Sequence, residues 1–192
     1  MFRLSSLALC LPLIALAACK PPPTDETRAR FPLDGQRDGP SQPIDSPDSS
    51  NAIWADSKTP GRIIYGNPGE APMLALACVE EAGTPMLQIT RYAPADEGAG
   101  ALMALIGNAH IERLPVDAVE AAPEAYLWEG SYPASAPALE VLTGRREVSL
   151  TIPGAGKLTL NPSERPRMLI ESCRGDQKED AEIVSEGAEP AL

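Results

Sequence analysis

The chain has very little histidine and few aromatic residues, and both shortages narrow the chemistry open to it. Its 192 residues include one histidine, His110, and only 4% of them are phenylalanine, tyrosine or tryptophan. A catalytic zinc site needs three protein ligands and commonly uses more than one histidine, so this chain has no histidine cluster for such a site. We therefore predict no bound metal and no cofactor.

Catalytic residue patterns are also scarce. No serine stands in the G-x-S-x-G turn of the common serine hydrolases. Carboxylate pairs such as Glu80 and Glu81 are frequent in so acidic a chain, and a glycosidase cleft would add several aromatic side chains for sugar stacking. For His110 we predict an exposed strand position without a catalytic role. The sequence therefore predicts a protein that is not an enzyme.

Positive charge is in short supply as well. The chain has 16 lysines and arginines against 27 aspartates and glutamates, a net charge of −11, and its longest basic run is Arg145–Arg146. A protein that binds nucleic acid needs a cationic surface that displaces counterions. We predict that nucleic acid is not a partner.

The long apolar run of the chain lies at its beginning. Leu7–Leu16 follows the positively charged Arg3 and leads into Leu16–Cys19, which reads Leu-Ala-Ala-Cys. This order resembles the signal peptide and lipobox of bacterial lipoproteins. The resemblance implies that signal peptidase II removes residues 1–18 and that Cys19 is acylated, which makes membrane lipid a partner. The alternative, a retained membrane span, would need about 20 apolar residues.

The same resemblance implies a location. Two or more acyl chains hold a protein stably at a membrane that it does not span. Aspartate after the acylated cysteine is the usual inner-membrane retention signal in Gram-negative bacteria, and this chain has Lys20 there. We expect attachment to the outer membrane, with the folded part in the periplasm. That part has a weak likeness to small, uncharacterised periplasmic β-sandwich lipoproteins.

Two of the four cysteines remain for a disulfide once the lipobox resemblance is accepted. Cys10 leaves with the signal and Cys19 carries lipid, so Cys78 and Cys173 remain in an oxidising compartment and are predicted to pair. Closing so long a loop is worth about 4–5 kcal/mol in the chain-entropy model. A redox pair is the alternative, but the chain has no C-x-x-C spacing to favour it.

Shifts in composition divide the mature chain into three parts. Residues 19–50 are rich in proline, aspartate and serine and poor in apolar residues, which predicts a disordered tether. Such a tether averages roughly 30 Å from end to end. Residues 52–173 form the predicted folded domain, and residues 174–192 read as a disordered acidic tail.

The domain has short apolar runs with turn signals every eight to twelve residues, which is typical of an all-β fold. We predict strands at Arg62–Tyr65, Met73–Val79, Met86–Tyr92, Tyr126–Trp128, Val148–Ile152, Lys157–Leu160 and near Met168–Cys173. The strands Val148–Ile152 and Lys157–Leu160 form a hairpin. In Met86–Tyr92, Leu87 and Ile89 point inward, and Gln88, Thr90 and Arg91 point outward.

One short helix is predicted between Ser135, as its N-terminal cap, and Gly144, where it stops. The segment Ala101–Ile106 is open between strand and helix. The fold class is therefore mainly β, a small antiparallel β-sandwich or flattened barrel with one or two short helices.

The densest aromatic group is Tyr126, Trp128 and Tyr132. Side chains two apart on a strand share a face, so these rings form either half of the core, which we favour, or an exposed binding surface.

Three functions are left open. The first, and the one we favour, is a non-enzymatic, membrane-anchored module that binds an envelope protein or serves as an envelope accessory. The second is a lysozyme inhibitor, although the serine-glycine and tyrosine signature of that family's inhibitory loop is missing. The third is a histidine-independent cell-envelope enzyme, which would need a cleft that joins two carboxylates to Trp54 or Trp128.

Overall fold

The computed structural model describes the backbone of residues 42–186 and the side chains of residues 42–175. Within this part, nine antiparallel strands form a single sheet that curls into a half-barrel. The strands are β1 (Ile53–Asp56), β2 (Arg62–Gly66), β3 (Leu74–Glu81), β4 (Thr84–Ala95), β5 (Gly100–Gly107), β6 (His110–Ala122), β7 (Ala125–Pro133), β8 (Val148–Thr151) and β9 (Lys157–Leu160). Their order across the sheet is β1-β2-β3-β4-β7-β6-β5-β8-β9.

The prediction of a mainly β fold is confirmed, and the barrel-like alternative describes it better than a two-sheet sandwich. Ala101–Ile106, which the sequence left open, lies in strand β5. The predicted hairpin of β8 and β9 is present, with Val148 opposite Leu160 and Thr151 opposite Lys157. Short turns join most neighbouring strands, and a short turn allows only antiparallel pairing of the two strands that it connects.

Alternation along the strands builds the core on the inner face of the sheet. Met103 and Leu105 of β5 are fully buried there, as are Leu74 and Leu76 of β3. The inner face also receives the short 3-10 helix Pro137–Leu142. That helix confirms the predicted one, but its N-terminal cap position is Ala136, without a side-chain cap, and not Ser135.

The prediction of a strand near Met168–Cys173 is wrong, because this segment belongs to the helix α1, Arg165–Glu186. Pro166, Ile170 and Cys173 are buried at helical spacing and face the sheet. The helix extends to Glu186, through part of the segment for which the sequence predicts a disordered tail.

The helix α1 is tied to the sheet by the disulfide between Cys78 of β3 and Cys173. The two Cα atoms are 5.6 Å apart, and the bridge spans 95 residues of sequence. The predicted pairing is therefore confirmed. It holds the end of the domain against strands that form near its beginning.

Among residues 42–186, side-chain hydrogen bonds connect the two edges of the half-barrel in place of a strand ladder. The Tyr65 hydroxyl of β2 donates to the carbonyl of Thr159 at 2.8 Å and accepts from the Asn161 backbone N–H at 3.0 Å. The Asn161 amide donates to the carbonyls of Ser49 and Ala52. The chain just before β1 therefore lies beside β9. Ser49, one of the two acceptors, belongs to the stretch for which the sequence predicts a disordered tether.

The prediction that Arg91 points outward from strand β4 is wrong. Arg91 follows Ile89 by two residues, so it points inward, and it is 3% exposed. Its guanidinium donates to the carbonyls of Met73, Tyr92 and Ala155 at 2.9–3.2 Å. Burial lowers the pKa of Arg91 to about 10, so the group stays charged at neutral pH. Thr90 does point outward, but it is buried beneath Glu129.

Candidate functional site

Of the predicted site residues, Cys19 and the signal segment lie outside the described residues. Trp128 and Tyr132 are each 7% exposed and belong to the core. They therefore do not form the exposed surface that was the alternative, and only Tyr126 is half-exposed. The aromatic group is a structural feature of the fold.

Tyr132 lies where β6 and β7 separate. The two strands pair only from Asp117 and Glu129 onward, so the first half of β6 has no strand on that side. The Tyr132 hydroxyl donates to the carbonyl of Pro115 at 2.6 Å and takes the place of a ladder bond. Burial raises the pKa of Tyr132, with a smaller contribution from Asp117, so the hydroxyl keeps its proton.

The ionisable residues considered for catalysis do not meet in a cleft. His110 begins β6, and its Nδ1 lies 3.9 Å from a carboxylate oxygen of Glu112. Glu81 accepts a hydrogen bond from the Ser131 hydroxyl on the outer face, while Glu80 is exposed nearby on β3. Among the described residues no group of histidine, cysteine and carboxylate side chains is arranged to hold a metal ion.

A small pocket lies between the sheet edge and the start of α1. Trp54, Leu160, Asn161 and Pro166 help to line it, and no carboxylate does. It measures about 230 Å³ including space open to solvent, and a water-sized sphere finds room in it for about one water molecule. The pocket is thus below the 300–1,000 Å³ typical of ligand sites.

The most unusual surface is the outer face of β5 and β6. Leu102 and Ile106 of β5 are each 52% exposed, and Ile111 of β6 is 64% exposed. Pro115 completes this group, which we call the β5–β6 patch: Leu102, Ile106, Ile111 and Pro115. Pairing places Leu102 beside Pro115 and Ile106 beside Ile111, with Ala104 beside Arg113 between the two pairs. Exposed apolar side chains grouped on one face mark interaction sites more often than isolated ones do.

The outer face of β6 carries one positive and one negative side chain next to the patch residues. Arg113 points outward between Ile111 and Pro115, and Asp117 follows Pro115 on the same face. Asp117 lies directly opposite Glu129 of β7 across the strands. Neither Arg113 nor Asp117 forms an ion pair with another described side chain. The Glu129 carboxylate accepts hydrogen bonds from Gln88 at 2.9 Å and from Thr90 at 2.8 Å, which leaves Asp117 as the exposed carboxylate at this end of the patch.

Proline is tolerated in the middle of β6 because the strand is unpaired on one side there. The N and O atoms of one residue in an antiparallel strand point to the same side. Since the Pro115 carbonyl bonds Tyr132 on the side away from β5, the missing N–H would also have pointed there. Pro115 therefore removes no bond from the β5–β6 ladder.

Sequence reasoning missed this patch, although a signal was present. Every residue of Ala101–Ile106 is apolar, and strands with apolar residues on both faces are usually covered on both. In β5 the inner residues Met103 and Leu105 are fully buried, whereas the outer ones are exposed. Because the sequence left Ala101–Ile106 open between strand and helix, it did not predict which of these side chains share a face.

Comparisons of the chain with family models, curated proteins and solved structures found no match to any of them. Between residues 42 and 186, neither helix has the length and apolar character to cross a bilayer.

Proposed function

We propose that the protein is a non-enzymatic binding module of the Gram-negative envelope. In this proposal, acylated Cys19 holds it at the outer membrane and the folded domain works in the periplasm. The single observation that supports a binding role is the β5–β6 patch, with three large aliphatic side chains at least half exposed. The pocket lined by Trp54, Leu160 and Pro166 adds no carboxylate to this picture.

In this proposal, the lipid anchor at Cys19 and the β5–β6 patch act together. A flexible linker keeps a tethered domain near other membrane-held molecules, at effective concentrations that reach the millimolar range for short linkers. A patch of a few aliphatic side chains gives only modest affinity by itself, since association must overcome the loss of translational and rotational freedom. Tethering therefore makes a small patch sufficient for specific contact.

The proposal is tested with a photo-crosslinking amino acid at Ile111 of the full chain in intact cells. We expect discrete adducts at Ile111 and none at Met168, an exposed apolar residue of α1. The Ile106→Asp substitution should abolish the Ile111 adducts, because it places a carboxylate beside that side chain. The matched change Ile53→Asp, on the outer face of β1, should leave them unchanged.

The anchor is tested in the same cells with Cys19→Ser. Loss of acylation should release the protein from the membrane fraction and reduce the adducts. Equal adducts from Ile111 and Met168, or adducts that survive Ile106→Asp, would contradict a binding role for the patch. Retention of the Cys19→Ser protein in the membrane fraction would contradict anchoring through this residue.

A further inference from the structure

The outward residues of β6 follow an order that is complementary to itself. From one end to the other they are Ile111, Arg113, Pro115, Asp117 and Val119, with Pro115 at the centre. An aliphatic residue stands at each end, and opposite charges stand on either side of Pro115. Reversing the strand therefore places unlike charges and like aliphatics against one another.

We propose that the β5–β6 patch is the interface of a homodimer, in which β6 of a second copy lies antiparallel over β6 of the first. This inference rests on the proposed function, because it names the occupant of the same surface. A two-fold axis in the plane of the interface passes over Pro115, perpendicular to β6 and midway between the two copies. Arg113 of each copy then faces Asp117 of the other, and Ile111 faces Val119.

The dimensions of β-sheets suit this arrangement. Residues two apart on a strand are separated by about 6.8 Å, so Arg113 and Asp117 lie at equal distances on either side of Pro115. Two stacked sheets are about 10 Å apart, a gap that aliphatic side chains fill and that an arginine and a carboxylate span together. Leu102, which pairs with Pro115, lies near the axis and meets Leu102 of the second copy.

Charge favours this occupant over others. Two-fold packing brings Arg113 of the second copy to the exposed Asp117, whose cross-strand neighbour Glu129 accepts hydrogen bonds from Gln88 and Thr90. A bilayer rich in anionic lipid would be repelled by that same end of the patch. A different protein would need the reversed charge pattern, whereas a second copy has it already, as isologous interfaces require.

The test uses two differently tagged full chains expressed in the same cells, with the photo-crosslinker at Leu102. Crosslinked species that carry both tags measure the dimer. Arg113→Asp in both chains leaves only carboxylates at positions 113 and 117, and Asp117→Arg in both leaves only cations. Each change should lower the yield of doubly tagged product about tenfold through repulsion across the interface.

The decisive combination pairs the two single variants. A chain with Arg113→Asp and a differently tagged chain with Asp117→Arg present opposite charges to each other, so their mixed dimer should recover to within about twofold of the original yield. The double variant R113D/D117R in both chains should also recover. Arg146→Asp, an exposed change of the same charge, serves as the control and should have no effect.

The outcomes separate this inference from the proposed function. If the yield of doubly tagged product is the same in all four charge combinations, the homodimer is overturned. Discrete adducts from the patch with other molecules and none between tags also overturn it, a result that leaves the binding role in place. Absence of any adduct from Leu102 and Ile111 overturns both. Resistance of each variant to protease confirms that the exposed substitutions leave the domain folded.

Discussion

The outer face of the sheet differs between its two halves. On β2–β4, the outward side chains Ile64, Ala75 and Tyr92 are at most 3% exposed. On β5 and β6, outward side chains of similar character, Leu102 and Ile111, are more than half exposed. The same alternation therefore produces a covered apolar face in one half and an open one in the other. Residue type alone does not identify a binding surface, since the surroundings of the face decide it.

The inner face of the sheet also differs between the two halves. In the first half, α1 packs on the sheet through Ile170 and is held by the bond from Cys173 to Cys78. In the second half, the 3-10 helix covers β5 and β6 without a covalent link, and Asn108 bonds its Val141 carbonyl at 2.8 Å. The first half thus has buried apolar side chains on both faces of the sheet, whereas the second half has exposed ones on its outer face.

The largest expected effect comes from removing the disulfide that fixes the first half. The double change Cys78→Ser and Cys173→Ser should lower the free energy of unfolding by about 4–5 kcal/mol, because the bridge closes a loop of 95 residues. Urea unfolding of the full chain measures it, and Ser172→Ala is the control. Hydrogen exchange should then be fastest in α1. A loss below about 1 kcal/mol would show that α1 docks without the bond.

The second prediction compares the two outer faces directly. Ile64→Ala on β2 should cost about 2–5 kcal/mol of unfolding free energy, since it leaves a cavity at a fully buried site. Ile106→Ala on β5 should change it by no more than about 0.5 kcal/mol in dilute protein. Urea unfolding of both variants at equal concentration measures the difference. Equal costs would mean that the two faces are covered alike, and the comparison between the halves would fail.

How far the sequence predicts this fold depends on whether the deciding interactions are local. Alternation in Val148–Thr151 and Lys157–Leu160, with a glycine-rich turn between them, was enough to predict the hairpin. The apolar run Met168–Cys173 predicts a strand when it is read by itself. The buried spacing of Pro166, Ile170 and Cys173 fits a helix, but it is recognised only when Pro166 is included.

Two features of the sheet were less predictable than the strands themselves, the buried Arg91 and the β5–β6 patch of the candidate site. The prediction of an outward Arg91 is wrong because side chains two apart on a strand share a face, and Ile89 points inward. The burial of Arg91 depends on backbone carbonyls of Met73 and Ala155, which are remote in sequence. The β5–β6 patch was missed for a related reason, since exposure of an apolar face is set by what lies over it and not by the strand itself.

A third prediction concerns the place where the two halves of the sheet separate. Tyr132→Phe removes the hydrogen bond to the Pro115 carbonyl and should lower the free energy of unfolding by about 1 kcal/mol. Exchange of amide hydrogens should rise in the first half of β6 more than in β7. The matched change Tyr126→Phe, at a half-exposed tyrosine of β7, should have a smaller effect. The reverse order would contradict the role of Tyr132 in joining the halves.

The smallest effect is expected where α1 meets the 3-10 helix. The Thr143 hydroxyl, and then Arg174, lowers the pKa of the Glu140 carboxyl below its ordinary 4.5. A carboxyl with a lowered pKa stabilises the folded state above its ordinary pKa, and this contribution disappears as the pH falls through the lowered value. Glu140→Gln should therefore cost about 0.5 kcal/mol at pH 7, because the ion pair with Arg174 is partly exposed. The cost should shrink as the pH falls below the ordinary pKa of the carboxyl, as measured by thermal unfolding at neutral and at acidic pH. A difference that stays constant between these pH values would show that the Thr143 and Arg174 contacts do not act through the charge of Glu140.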